Sequence, residues 1–169
     1  MISDLFLAFA LACIQGLTEF LPVSSSGHLE IGHVIFGIEG ESSLLFDVIL
    51  HGATVLSTLV VFRKDIVELF KGLFEFKWNE PTKYVSKLLL SALPVGIAGV
   101  LFKDQIESLF LGNLLWVGSA LLLTAALLAF ANFARVGERK LGYLDAIMIG
   151  VAQMLAVVPG ISRSGSTIA

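Results

Sequence analysis

The stretch EFLPVSSSGH, residues 19 to 28, gathers a carboxylate, three hydroxyls, a glycine and an imidazole within ten positions. A second stretch, PGISRSGST at 159 to 167, repeats the hydroxyl-and-glycine pattern around a guanidinium. Groups of these types suit the handling of a phosphate. Ser24, Ser25, Ser26 and Gly27 follow Pro22, which ends a helix, and precede an apolar run. Serine is a preferred N-cap, and the unpaired N–H groups of a helix start attract anions. Ser162, Ser164, Gly165, Ser166 and Thr167 repeat those elements around Arg163, whose fixed charge and planar fork match phosphate oxygens two at a time. Two opposed helix starts, one guanidinium and several hydroxyls describe a phosphate-shaped site, with room for two phosphates. Plain helix capping is the blander account of either serine run alone, and the recurrence of the pattern weighs against it.

Gln15 and Glu19 are four apart and share a helix face. An ionisable group inside an apolar segment costs on the order of 2.5–3.5 kcal/mol to insert, which makes Glu19 a functional candidate before a structural one. His28 opens the second half of the motif and can serve as acid or base near neutral pH. His33 and His51 lack such neighbours and read as structural; Asp47 and His51 share a face and could border a cavity, while Glu30 falls on another face than His28. The histidines have neither the spacing nor the cysteines of a zinc site. One carboxylate, Glu19, and one amide, Gln15, with phosphate oxygens suit Mg2+, with Ca2+ as a substitute. No G-x-x-x-x-G-K-[ST] loop is present, which argues against a nucleotide-driven pump.

The elements that must position these residues are membrane helices. Of 169 residues 56% are hydrophobic and 15% charged, with mean hydropathy +0.90, far above the roughly 45–50% apolar content of soluble domains. A net charge of −3 gives no case for nucleic acid. The single Cys13 excludes a disulfide framework and a thiolate cluster. The first apolar stretch lacks a basic leader and a cleavage site, so it reads as mature protein, not a signal peptide. Three stretches read as full spans: Leu44 to Phe62, Leu88 to Phe102 with its flanks, and Leu114 to Ala134. Arg63, Lys64, Lys71, Lys77, Lys83 and Lys87 follow the first, and Arg135, Arg139 and Lys140 follow the third, whereas Lys103 to Asn113 holds one lysine. The positive-inside rule places the first two regions in the cytoplasm and the third outside.

Two further apolar stretches, Ile2 to Leu21 and Tyr143 to Val158, each run into a proline and a Ser/Gly-rich turn. Shifting the chain by 138 residues aligns Gln15 with Gln153, Leu17 with Leu155, Ser24 with Ser162, Ser26 with Ser164 and Gly27 with Gly165. Three spans between the copies invert the second relative to the first, as in folds whose broken helices meet near the bilayer midplane. The expected fold is therefore all-α and polytopic: one membrane domain over 1–169, with a first re-entrant helix pair at 1–37, three transmembrane helices at 44–134 and the start of an inverted second repeat at 143–169. Irregular backbone at that depth implies a polar cavity around it. A plain span followed by an external loop is the alternative for the first stretch.

With those residues in view, the sequence resembles the bacterial undecaprenyl pyrophosphate phosphatases, the BacA-type integral membrane enzymes. The resemblance rests on QGLTEFLPVSSSGH at 15–28, FDVILHGATVL at 46–56 and PGISRSGST at 159–167 and runs along the whole chain. It implies hydrolysis of a polyprenyl pyrophosphate lipid in the bacterial plasma membrane, recycling the carrier for peptidoglycan synthesis, with bacitracin sensitivity when the activity is lost. It puts the family's E/Q-x-x-x-E motif on Gln15 and Glu19, its motif histidine on His28 and its arginine on Arg163. Members of the family are longer, so the resemblance also implies that the second repeat is incomplete within these residues. The expected mechanism is metal-assisted phosphoryl transfer on the outer side of the membrane. The attacking group is a Ser25 or Ser26 hydroxyl, or a water, activated by His28. A transporter or flippase for an anionic lipid is the alternative. Partners are the lipid substrate and membrane lipids, with association into a homo-oligomer left open.

Overall fold

Proline and serine divide the N-terminal apolar stretch. In the computed structural model, which describes residues 2–38, 41–103, 105–106, 114–133 and 140–168, helix α1 (Ile2–Thr18) stops short of Pro22 and helix α2 (Ser25–Phe36) starts beyond it. Proline lacks the N–H that would continue the ladder and disfavours helical backbone in the residue before it. Ser24 caps α2 by accepting the Gly27 N–H at 3.4 Å. Gly37 closes it at φ +66°, with the amides of Gly37 and Ile38 returned to the carbonyls of Val34 and His33. Leu11 and Ile14 of α1 lie against Gly32 of α2, so the two helices form an antiparallel hairpin. The 12 residues of α2 reach about 18 Å, well short of the roughly 30 Å hydrocarbon core. Leu11 and Leu29 of the hairpin pack on Leu50 of helix α3 (Glu41–Val61), with Ile14, Phe36 and Phe46 around them.

The chain then turns by 75° at Phe62 into helix α4 (Arg63–Phe74), where the apolar run gives way to Arg63 and Lys64. Helices α5 (Glu80–Leu101) and α6 (Leu114–Phe133), with mean hydropathy 1.7 and 2.2, are each long and apolar enough to cross a membrane, and α3–α4 is a third if the bent pair counts as one span. The expected polytopic all-α fold is the one found; among the described residues there is no strand. Helix α5 begins earlier than the apolar run alone suggests. Asn79 caps it by accepting the Thr82 N–H at 2.9 Å, and Lys87 carries its charge to the end of the neighbouring helix.

Helix α7 (Tyr143–Leu155) lies along α5. Lys87 Nζ donates to the Leu141 carbonyl at 2.7 Å and sits 5.5 Å over the Tyr143 ring, while Gly150 lies against Ser91 and Pro94. Positions rise together along both helices, so α5 and α7 run in the same direction and start on the same side. The count of basic residues requires that arrangement. Arg135, Arg139 and most of the loop from Lys103 to Asn113 lie outside the described residues. A turn at 156–162 joins α7 to the short helix α8 (Arg163–Ile168).

Candidate active site

The two serine turns have the same internal wiring. Ser24 Oγ accepts the Gly27 N–H and lies 3.3 Å from Ser26 Oγ; Ser162 Oγ accepts the Gly165 N–H at 3.0 Å and lies 3.1 Å from Ser164 Oγ. They also touch reciprocally. A Cβ on Gly27 would stand 3.0 Å from Gly160 Cα, and a Cβ on Gly165 would stand 3.2 Å from the Pro22 carbonyl oxygen. The 138-residue shift carries position 27 to 165 and position 22 to 160, so each contact is the mate of the other, as a two-fold axis between the turns requires.

Helix α6 backs the second turn. Gly160 at φ +93° lies against Ala120 and Val117, where a Cβ would come within 2.7 Å of both, so only glycine fits. Buried Thr124 donates its hydroxyl to the Gly160 carbonyl at 2.9 Å and accepts the Ser162 N–H at 3.0 Å. The sequence reading misses Thr124; its available signal is a hydroxyl in the middle of a charge-free apolar helix.

Between the turns and α3 lies a cavity of about 700 Å³. The first half contributes Thr18, Glu19, Ser24, Ser25 and Ser26, the second Ala156, Val157, Ser162, Arg163 and Ser164, and α3 adds Asp47, Val48, His51 and Val55. The Glu19 carboxylate is part of its lining. Glu19 Oε2 accepts hydrogen bonds from Ser25 Oγ and, at 3.1 Å, from Gln15 Nε2. His51 Nε2 stands 3.7 Å from the same oxygen, beyond hydrogen-bond reach. Arg163 also lines the cavity and is exposed, and among the described residues its guanidinium has no carboxylate partner.

The remaining expected site residues sit differently. His28 gives Nδ1 to the Ser24 carbonyl at 2.8 Å and lies outside the cavity wall. Ser166 and Thr167 return their hydroxyls to the carbonyls of Ser162 and Arg163 at 2.8 and 3.0 Å, and Gly27 and Gly165 form the contact between turns. Asp47 and His51 both face the cavity, although His51 reads as structural in the sequence. His33 is structural: buried, it bonds Asp47 Oδ1 through Nε2 at 2.8 Å.

Among the described residues no group of three or more His, Cys, Asp or Glu side chains converges on one point. Gln15 turns its amide N–H toward Glu19 and leaves its oxygen buried without a partner, so as placed it offers no lone pair to an ion at Glu19. The donors present therefore fit a divalent cation through the Glu19 carboxylate alone, with phosphate oxygens and water completing its shell, the way magnesium is commonly held.

The fold and cavity define a polytopic helical membrane protein with a polar cavity lined by two matching turns. Residues 8–169 match the family described as bacitracin resistance protein BacA, and the chain belongs to that family. The protein named undecaprenyl-diphosphatase of Christiangramia forsetii is 58% identical over 98% of this chain and 63% of its own length. That of Bacteroides fragilis is 56% identical over 97% of this chain and 62% of its own. The Thermosipho africanus protein of the same name is 44% identical over 94% and 63%. The chain thus spans a little over three fifths of the length of these relatives.

Proposed function

We propose that the protein hydrolyses undecaprenyl diphosphate to undecaprenyl phosphate and inorganic phosphate. The names of its relatives supply the substrate class, and one observation carries the chemistry: Ser25 donates its hydroxyl to the Glu19 carboxylate in a cavity that Arg163 also lines. A serine hydroxyl bonded to a carboxylate is a nucleophile next to its base. Ser25 Oγ attacks the terminal phosphorus as its proton passes to Glu19. The bond from that phosphorus to the bridging oxygen breaks, and undecaprenyl phosphate leaves. Water then attacks the phosphoserine, releasing phosphate and restoring the hydroxyl. Arg163 holds the terminal phosphate oxygens and offsets their charge, the larger part of catalysis in phosphoryl transfer. Glu19 takes the role of base that the sequence gives to His28, because Glu19 touches the hydroxyl and His28 is engaged with the Ser24 carbonyl.

A divalent cation, Mg2+ or Ca2+, would be held by Glu19 with the substrate's phosphate oxygens and would supply further charge neutralisation when bound. The cavity faces outward in this proposal. Asp47 and Val48 lie in the first half of α3 and His51 at its midpoint, and the basic residues after Val61 argue for an outer start of that helix. Accordingly, Ser26→Cys in a Cys13→Ala background should react with a membrane-impermeant thiol reagent on intact cells; reaction only after lysis would reverse the orientation.

The test of the reaction is phosphate release by purified full-length protein in detergent. Ser25→Ala should leave essentially no turnover while Ser26→Ala keeps a substantial part, and phosphoserine should be trappable at 25. Near-normal turnover in Ser25→Ala would remove the serine mechanism. No release by the wild type would remove the phosphatase reading.

A further inference from the structure

Beyond the end of α3, and clear of the residues that line the cavity, α4 turns its apolar stripe away from the protein. Val67, Phe70 and Phe74 recur at the i, i+3, i+7 spacing of one helix face, and all three are at least half exposed. Gly72 falls on the opposite side and is buried. Pro81 of α5 lies so close that a Cβ on Gly72 would stand 2.5 Å from it, and Asn79 Nδ2 donates to the Gly72 carbonyl at 2.9 Å. The protein therefore covers the back of this helix and leaves its apolar face open. The charges are sorted in the same sense. At about 100° per residue, Lys64 and Lys71 lie about 70–90° from the centre of the stripe, whereas Glu68 and Asp65 lie about 130–170° from it. Neither lysine has a carboxylate partner among the described residues, although Glu68 stands four from Lys64 and Glu75 four from Lys71. The turn that follows holds Phe76 at φ +50°, a backbone costly for a bulky residue, with 91% of its surface exposed, and Trp78 is exposed two residues on.

We propose that α4 and this turn lie in the headgroup layer of the cytoplasmic leaflet, with Val67, Phe70, Phe74 and Phe76 among the acyl chains and Lys64 and Lys71 on anionic lipid headgroups. The inference does not depend on the phosphatase reading. Its occupant follows from the path of the chain and from charge. The 21 residues of α3 reach about 32 Å, close to the roughly 30 Å of the hydrocarbon core, so the 75° bend comes where the chain has crossed and sends α4 along the surface. The basic residues after Val61 make that surface the cytoplasmic one, where anionic lipids concentrate. The sorted charges complement it: lysines beside an inserted apolar stripe reach up to the headgroups, while Asp65 and Glu68 stand on the far side.

The test uses the full-length protein, with Cys13→Ala and no other cysteine, in phosphatidylcholine vesicles that contain a minority of phosphatidylglycerol. Phe74→Cys and Glu68→Cys, each carrying a fluorophore on the new thiol, compare the stripe with the far side of the helix. Lipids brominated on the acyl chain should quench the label at 74 several-fold more than the label at 68, and aqueous iodide should do the reverse. Brominated phosphatidylglycerol should quench the label at 74 about twofold more than the same mole fraction of brominated phosphatidylcholine. Lys64→Gln together with Lys71→Gln, or about 1 M salt, should remove that preference while the quenching itself persists. Phe70→Cys gives a second reading if the variant at 74 fails to fold. Labels at 70 and 74 reached by iodide and not by brominated chains would put the stripe in water and overturn the proposal. Labels reached by neither would mean that protein, either another segment of the chain or a second copy, covers the stripe, and would overturn it as well. Equal quenching by the two brominated lipids would overturn the assignment of the lysines to anionic headgroups.

Discussion

Thr124→Val keeps the shape of the residue and removes its hydroxyl, which is the whole of the polar link between α6 and the second turn. The hydroxyl's single hydrogen goes to the Gly160 carbonyl at 2.9 Å and a lone pair takes the Ser162 N–H at 3.0 Å. Valine would leave both backbone groups buried and unpaired. In a water-soluble protein each such group costs about 1–3 kcal/mol, or about 2–6 kcal/mol together. Between membrane helices a hydrogen bond averages about 0.6 kcal/mol with a ceiling near 1.7, because the unfolded chain in lipid also finds partners. The lower scale applies to a turn bonded to a helix apolar enough to cross a membrane, so the expected loss is about 1–3 kcal/mol. Activity should fall further than stability, since Ser162, Arg163 and Ser164 move with the turn and a displacement of about 1 Å at a reacting centre costs on the order of a hundredfold. Thermal unfolding in detergent and phosphate release from the same preparation read the two effects. Thr124→Ser, which keeps both bonds, should stay near wild type. A valine variant with wild-type stability and turnover, or a serine variant as damaged as valine, would refute this account of how the turn is held.

Arg163→Lys keeps the charge but loses the planar fork, so phosphate release should drop on the order of a hundredfold; a variant close to wild type would show that charge alone matters. Gly27→Ala gains about 1 kcal/mol of helix propensity, yet its Cβ would stand 3.0 Å from the backbone of Gly160, and the 1–3 kcal/mol typical of overpacking should prevail; a raised unfolding temperature would show that the turns can part. Asp47→Ala strips the Nε2 partner from buried His33, whose Nδ1 already has none, and should cost about 1–3 kcal/mol, while Asp47→Asn stays mild. Equal unfolding temperatures for the two variants would show that the pair does not hold α2 to α3.

Local signals made much of this molecule legible. Pro22 and the serine run mark the start of α2 in the sequence as they do in the structure, because a helix end depends on a few neighbouring residues. The 138-residue repeat, visible as five identities, reappears as two turns with matching hydrogen bonds. The arrangement across elements was less accessible. Ser25 and Ser26 are equivalent on paper, and only the turn after α1 decides that Ser25 meets Glu19 while Ser26 meets Ser24. His51 of α3 comes to 3.7 Å from Glu19, 32 positions earlier, and Thr124 meets Ser162 from 38 positions away. Sequence spacing along one helix carries no such information. The bend at Phe62 has no proline or glycine to announce it.

The cavity straddles the axis that relates the two turns, and what differs across that axis bears on the proposed chemistry. Five pairs of equivalent positions line it: Thr18 and Ala156, Glu19 and Val157, Ser24 and Ser162, Ser25 and Arg163, Ser26 and Ser164. The capping serines at 24 and 162 and their hydroxyl partners at 26 and 164 are the same on both sides, because each turn needs them to fold. The differences fall at 18/156, where a threonine faces an alanine, and at 19/157 and 25/163, where one half carries a carboxylate and a hydroxyl and the other an apolar side chain and a guanidinium. Two identical halves would set either two carboxylates or two guanidinium groups against each other, and like charges in a partly desolvated site repel strongly. Placing the acid on one turn and the cation on the other removes that conflict. In the proposed reaction it also gives the cavity a direction: a base and hydroxyl from the first turn, a phosphate clamp from the second. A diphosphate whose two ends differ needs such a direction if only its terminal phosphorus is to meet Ser25.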